Sequence, residues 1–383
     1  MNELKILVVG AGIAGPTICY WLKRFGFSPF LIEKNNTMRK NGLGLDIRGS
    51  AIAVIKRMGI YKSIAEMHTQ INHDTYVDTK GNILIKEQSG YRQGEDCEIM
   101  RGDLMNILMQ SIKEVPCYFN KNIIHIAQNN ENVEVTFEDN KTENYDLIIG
   151  ADGLRSATRN SAFSKDQYKL IDLGSYISVF SVPNYLRLNG EKIIFESNQK
   201  IISVTANKNS DIALVAIMFR SNHTLRDMRD EKEQKDFLKC NFLNLGWETN
   251  KLLDYMEVCD DFYFDKVMQV QMQSWSTGRI ALVGDSAYCP SPLSGQGTSL
   301  ALVGAYILAG ELKTARGDYT SAFNRYHAVL DSFVTSNQNL GIWVNDTFLL
   351  ADTVSKDSIK TRMDNIFENL KIASHAIHLP EYE

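Results

Sequence analysis

Apolar positions along this chain follow two periods, and the change from one to the other marks out its parts. Lys5–Val9 is a largely apolar run of strand length. A glycine turn follows, then an apolar helix-length segment to about Phe25, then a second run over Ser28–Glu33. Two such runs around a helix predict a βαβ unit and a parallel sheet. Helical spacing recurs at Ile52–Met58 and Asp103–Ile112. Tyr76–Asp78 and Ile83–Ile85 flank Lys80-Gly81-Asn82 and predict a hairpin; Asn132–Phe137 and Glu143–Ile149 flank Asp139-Asn140 in the same way. From Tyr168 to Val270 the pattern becomes alternating strands, at Gly174–Val182, Lys192–Phe195, Ile201–Thr205 and Ile212–Phe219, with a charged helix over Asp227–Lys239. That predicts a second, mostly antiparallel layer. Arg279–Val283 reads as another buried strand leading into a glycine-rich turn and an apolar helix. Beyond Tyr319 the pattern is helical, with breaks near Gly341 and Asp352–Val354.

The expected fold class is therefore α/β. A Rossmann-like dinucleotide-binding domain is assembled from residues 1–72, 98–168 and 273–330. A hairpin at 73–97 and a mostly antiparallel β-sheet at 169–272 form an inserted substrate domain, and 331–383 form a C-terminal helical tail. Composition narrows the function. The 383 residues are 44% hydrophobic and 23% charged, with a net charge of -5. Length alone permits two or three structural units with a large core. No basic footprint points to nucleic acid. The six cysteines are scattered with no C-x-x-C pair, which predicts reduced thiols in a cytoplasmic protein. Ile6 to Leu22 carries no charge, but three glycines and Pro16 interrupt it. A strand, turn and buried helix account for it better than a membrane span or an export signal, so no membrane association is expected. The seven histidines form no ligand pair, and no metal is expected.

Three motifs carry the chemistry. The first is Gly10-Ala11-Gly12-Ile13-Ala14-Gly15, between a strand and a helix. Gly10 permits the turn, Gly12 lets a pyrophosphate approach the backbone, and Gly15 allows helix and strand to pack closely. The helix N-terminus then offers free N–H groups to the phosphate. Glu33, with Lys34 beside it, ends the next strand where an acid bonds a ribose hydroxyl. NAD and FAD both satisfy this motif. The second motif, Gly150-Ala151-Asp152-Gly153 through Ser156 to Arg159, also follows a buried strand. The third runs from Gly284-Asp285 through Pro292 to Gly295-Gln296-Gly297 and opens a long apolar helix. A carboxylate there can accept hydrogen bonds from a polyol chain. The helix N-terminus suits negative charge gathering on a reduced flavin.

The order of these motifs resembles the class A flavin monooxygenases of the para-hydroxybenzoate hydroxylase type. Tyr20–Lys34, Gly42–Gly49, Met100–Leu104 and Arg279–Leu312 further resemble the tetracycline destructases, as does the extra C-terminal helix. The resemblance implies a non-covalently bound FAD, NADPH as reductant and O₂ as co-substrate. It implies hydroxylation and inactivation of a tetracycline-like polycyclic substrate through a flavin C4a-hydroperoxide, by a monomer; another polycyclic or aromatic substrate is the alternative. It assigns Gly10, Gly12, Ala14 and Gly15 to the pyrophosphate and Glu33 to the ribose. Asp46, Arg101 and Asp285 match flavin-contacting positions, and Gly295 and Gly297 match the turn by the isoalloxazine. Arg39 matches a position linked to NADPH, and Asp152 and Arg159 a motif serving both FAD and NADPH. The flavin carries the chemistry, so no catalytic side chain is expected. The sequence departs from the family at Tyr288, Ser299 and Gly304, where His, Asn and Asp are usual. Strand alternation makes Ser178, Phe180 and Met218 candidates for the substrate pocket, with core packing the alternative for each. Arg220 is a candidate substrate contact or a strand-end surface charge.

Overall fold

A computed structural model describes residues 4–38, 42, 44–89, 94–221, 225, 227–348 and 355–382. Arg39 and the expected break at Asp352–Val354 lie outside the described residues.

The first sheet has six strands in the order Ser276–Thr277, Ile280–Leu282, Leu147–Gly150, Lys5–Val9, Ser28–Ile32 and Cys117–Tyr118. All its pairs are parallel except the first. Strands more than 100 residues apart in sequence thus lie side by side, because each is a run of Ile, Leu, Val and Ala buried on both faces. Helices Ala14–Arg24 and Gly297–Thr314 pack together on this sheet and share its core.

The second sheet has seven strands in the order Tyr263–Met272, Tyr168–Pro183, Ile212–Arg220, Lys200–Ala206, Glu191–Ser197, His73–Val77 and Ile83–Gln88. Its pairs are antiparallel apart from Glu191–Ser197 with His73–Val77. Helices Glu231–Phe242 and Thr249–Val258 cover one face, and helices Tyr319–Phe348 and Lys356–Ser374 pack on the other.

The structure corrects the sequence reading at several points. The run Glu143–Ile149 is two strands. Thr142–Tyr145 closes a hairpin on Val133–Phe137, whereas Leu147–Gly150 enters the parallel sheet. The switch falls at Asp146, whose carboxylate accepts the Lys5 N–H at 2.7 Å. Helix Thr249–Val258 and the long strand Tyr263–Met272 were not anticipated. Gly341 does not break its helix, which runs unbroken from Tyr319 to Phe348. A Cβ at Gly341 would stand 2.4 Å from the Pro290 carbonyl oxygen, so the glycine serves close packing. Among the described residues no helix is long and apolar enough to cross a membrane.

Candidate functional site

Because the strands Lys5–Val9, Leu147–Gly150 and Ile280–Leu282 are neighbours and parallel, the turns that follow them converge at one edge of the sheet. This is where open α/β sheets bind ligands. Gly10 has φ +104°, and a Cβ there would meet Ala151 O at 2.6 Å; one at Gly15 would meet Gly10 O at 1.9 Å. Gly12 has nothing within 4 Å of its Cβ position. The first turn is therefore packed on two glycines and open at the third. Ala14 is buried at the helix start, 3.0 Å from the Cβ position of Gly284, so the first and third turns touch. Glu33 accepts from Ala11 N at 2.9 Å with one oxygen and from Asn35 N and Nδ2 with the other. It is half-buried at the strand end, and Lys34 is exposed beside it.

The second motif is turned inward. Asp152 accepts from Ser156 Oγ at 2.5 Å and from Thr158 N and Oγ1 at 2.9 and 3.0 Å. Arg159 is fully buried; it donates to Ser286 O at 2.8 Å and Leu154 O at 2.7 Å. Ser286 Oγ donates to Gly150 O at 2.6 Å. Arg159 and Ser286 thus bolt the second turn to the third. The Arg159 guanidinium has no exposed surface to offer a ligand.

The third turn lines the cleft. Pro292 and Gly295 are exposed there, and Gly295 takes a left-handed φ of 63°. Gln296 is fully buried, and neither polar atom of its amide has a hydrogen-bond partner. Gly297 opens the helix to Thr314, so its N-terminus faces the cleft. Two carboxylates flank the turn: Asp46 lies 4.0 Å from the Cβ position of Gly295 and Asp285 3.9 Å from that of Gly297. Each is surrounded by protein yet keeps surface open to the cleft. Burial pushes both carboxyls above the ordinary range, against the attraction of Arg48 for Asp46 and of Arg101 for Asp285. Arg48, which the sequence reading passed over, is 3% exposed and bonds Asp46 at 2.7 Å. The signal was present in Asp46-Ile47-Arg48. Alternation along a strand places the two charges on one face.

The seven-stranded sheet forms the opposite wall. Met218 pairs across with Ile177 and Ile201, so these share a face. That face packs on Leu293 of the third turn and on Leu340, Val344, Ile359 and Met363 of the C-terminal helices. Ser178 and Phe180 point to the other face. Phe180 is fully buried among Val215, Phe219 and Leu238, and Ser178 Oγ donates to Tyr263 O at 2.9 Å. Arg220 bonds Asp346 of the long helix at 2.7 Å. On the cleft-side face Glu196 and Arg362 form an ion pair, 6% and 5% exposed, joining the sheet to the last helix.

Residues 3–324 match the FAD binding domain family. A flavin-dependent monooxygenase of Legionella longbeachae serogroup 1 (strain NSW150) is 54% identical over 385 residues, covering 100% of this chain and 99% of its own. The chain belongs to the flavin-dependent monooxygenases. Among solved structures, tetracycline destructase Tet(55) is 52% identical with a TM-score of 0.94, covering 99% of each chain. Tet(51) is 52% identical with a TM-score of 0.91, covering 99% of this chain and 100% of its own. The expected resemblance to that branch and the α/β fold are thus borne out. Klebsiella pneumoniae HpxO in complex with FAD and uric acid shares the fold at 18% identity and a TM-score of 0.79, covering 99% and 98%.

For this monooxygenase the sheet places two of the candidate pocket residues on opposite faces, Met218 on one and Phe180 on the other. Phe180→Ala should lower stability by about 3–5 kcal/mol, the usual cost of emptying an aromatic site in a core. It should leave KM for the substrate near its original value. Met218→Ala should do the reverse, raising KM severalfold with a small change in melting temperature. Thermal melts and steady-state kinetics on both variants check this. Equal effects of the two substitutions on KM would overturn the assignment of faces.

Proposed function

We propose that this monooxygenase hydroxylates and so inactivates tetracycline antibiotics, with non-covalently bound FAD, NADPH as reductant and O₂ as co-substrate. The observation that carries the reading is the 52% identity to Tet(55) over 99% of the chain, with a TM-score of 0.94. The residues present fit the cofactor. The space left at Gly12 and the helix N-terminus behind it suit a pyrophosphate. The unmet hydrogen-bonding capacity of Gln296 lies beside the turn that would border the isoalloxazine.

Gly10, Gly12, Ala14 and Gly15 would cradle the diphosphate, and Glu33, flanked by Lys34, would accept from the adenosine ribose. Asp285, with Arg101 beside it, would accept from the ribityl hydroxyls. Pro292, Gly295, Gln296 and Gly297, with Asp46 held by Arg48, would border the ring. Bound FAD supplies the oxygen-transfer chemistry, and the protein supplies orientation, exclusion of water and charge complementarity. The helix beginning at Gly297 would present the positive end of its dipole to negative charge on the bound ring. Asp152 and Arg159 act one step back, fixing the second turn against the third through hydrogen bonds to Ser156, Thr158, Leu154 and Ser286. Met218, Ile177 and Ile201 would form an apolar wall against the flat polycyclic substrate. Arg39 is proposed to act on NADPH. The six cysteines are all free, which supports work in a reducing cytoplasm, and we propose a monomer.

Purified protein saturated with FAD should consume NADPH faster when tetracycline is added and bleach the antibiotic's long-wavelength absorbance. Intact tetracycline after prolonged incubation with FAD bound and NADPH in excess would reject the substrate. A panel of other polycyclic and aromatic compounds, read by NADPH oxidation, would then identify its replacement.

A further inference from the structure

The loop from Cys289 to Gly297 contains a residue that must be held in place. Ser291 lies at φ 77° and ψ 156°, between two prolines, and is 1% exposed. Glycine occupies that region freely, whereas any residue with a side chain is strained there and persists only where its neighbours over-determine it. Here they do. Val270 N donates to Cys289 O at 3.1 Å. The Gln269 amide donates to Pro290 O at 3.0 Å and to Gln338 O at 2.8 Å, and Gln338 Nε2 returns a bond to Val270 O at 2.7 Å. From the long helix, Gly341 comes close enough that a Cβ would stand 2.4 Å from Pro290 O and 2.8 Å from Ser291 Oγ. Downstream, Ser294 N and Oγ donate to Ser291 O at 3.3 and 3.0 Å.

We infer that Gln269 is a positioning residue for the flavin site: its amide clamps Pro290, keeps Ser291 in its strained conformation, and so fixes where Pro292 and Gly295–Gly297 stand in the cleft. Gln269 is fully buried and belongs to strand Tyr263–Met272 of the substrate sheet. One amide therefore ties that sheet and the long helix to the loop bordering the cofactor. Without the clamp, Ser291 relaxes toward an ordinary φ and the turn after it shifts. This inference rests on the reading of the cleft as the flavin site and is independent of which substrate is used.

The test compares the FAD-loaded protein with Gln269→Met, Ser291→Gly and the double variant. The first readout is the visible spectrum of bound FAD without substrate. The second is hydrogen peroxide released per NADPH consumed with tetracycline present, since a displaced turn lets reducing equivalents reach O₂ without hydroxylation. Gln269→Met is expected to shift the flavin band and raise the peroxide ratio severalfold with FAD content retained. Glycine is unstrained at position 291, so the double variant should return toward the original protein on both measures. An unchanged spectrum and ratio in Gln269→Met, or a double variant no better than the single, would overturn the inference. If Gln269→Met does not retain FAD, Gln338→Met loosens the same clamp through Val270 and must show a smaller shift of the same sign. Failure of the unmodified protein to consume tetracycline would remove the substrate reading, and the substrate-free spectra would still decide the role of Gln269.

Discussion

Gly12→Ala is expected to fold and melt like the unmodified apoprotein yet to purify nearly colourless, whereas Gly15→Ala should lose both cofactor and stability. The two glycines sit three residues apart in one turn, and their surroundings differ completely. A methyl at Gly12 meets no protein atom within 4 Å; one at Gly15 would stand 1.9 Å from the Gly10 carbonyl oxygen, a backbone atom that a rotamer change cannot move. Overpacking of this kind typically costs about 1–3 kcal/mol. At Gly12 the methyl would enter the space proposed for the diphosphate, and a loss of about 1.4 kcal/mol or more corresponds to at least tenfold weaker FAD binding. Thermal melts of the apoproteins and FAD titrations followed by flavin fluorescence separate the two effects. If Gly12→Ala bound FAD as tightly as the original, the diphosphate would have to lie elsewhere.

The second large effect is expected at the ion pair between Glu196 and Arg362. Removing one member of a buried pair leaves an uncompensated charge and typically costs about 3–5 kcal/mol, whereas replacing both with apolar residues is often neutral or stabilising. Arg362→Met should therefore free the last helix from the sheet at lower temperature, and Glu196→Met combined with Arg362→Met should recover most of the loss. The pH dependence has a definite sign. Burial raises the Glu196 carboxyl above its ordinary 4.5, with Arg362 opposing. The fold therefore binds that proton more tightly than the unfolded chain does. The contribution of this group is greatest in acid and declines as pH rises from the ordinary value through the raised one. Arg362→Met removes the opposing attraction and extends the decline to higher pH. The deficit in melting temperature against the unmodified protein should thus be larger at neutral than at mildly acidic pH. Thermal melts of the single and double variants across that range are the check; a deficit that grew in acid would contradict the assignment.

Sequence by itself determined the elements whose physics is local. The strand Lys5–Val9 matched its expected limits, because an apolar run ended by a glycine turn has few other options. The glycine and aspartate turns were legible because each requires particular residue types at fixed spacing. Their order implied a flavin through its resemblance to the class A flavin monooxygenases. What sequence could not supply was the side of the seven-stranded sheet on which a residue falls. Ser178, Phe180 and Met218 satisfy the same alternation, and only strand pairing and the helices on each face decide that Met218 packs toward Leu293 and the C-terminal helices while Phe180 fills the core on the opposite face. The tertiary structure likewise decided that Arg159 is a clamp between two turns, since its partners are backbone carbonyls whose positions depend on strands far apart in the chain. It decided, too, that Gly341 serves close packing: helix propensity is a local quantity, and the carbonyl of Pro290 against which that glycine rests lies some fifty residues earlier. Periodicity and turn chemistry are written along the chain. Facing, burial and partner identity arise only when distant segments meet.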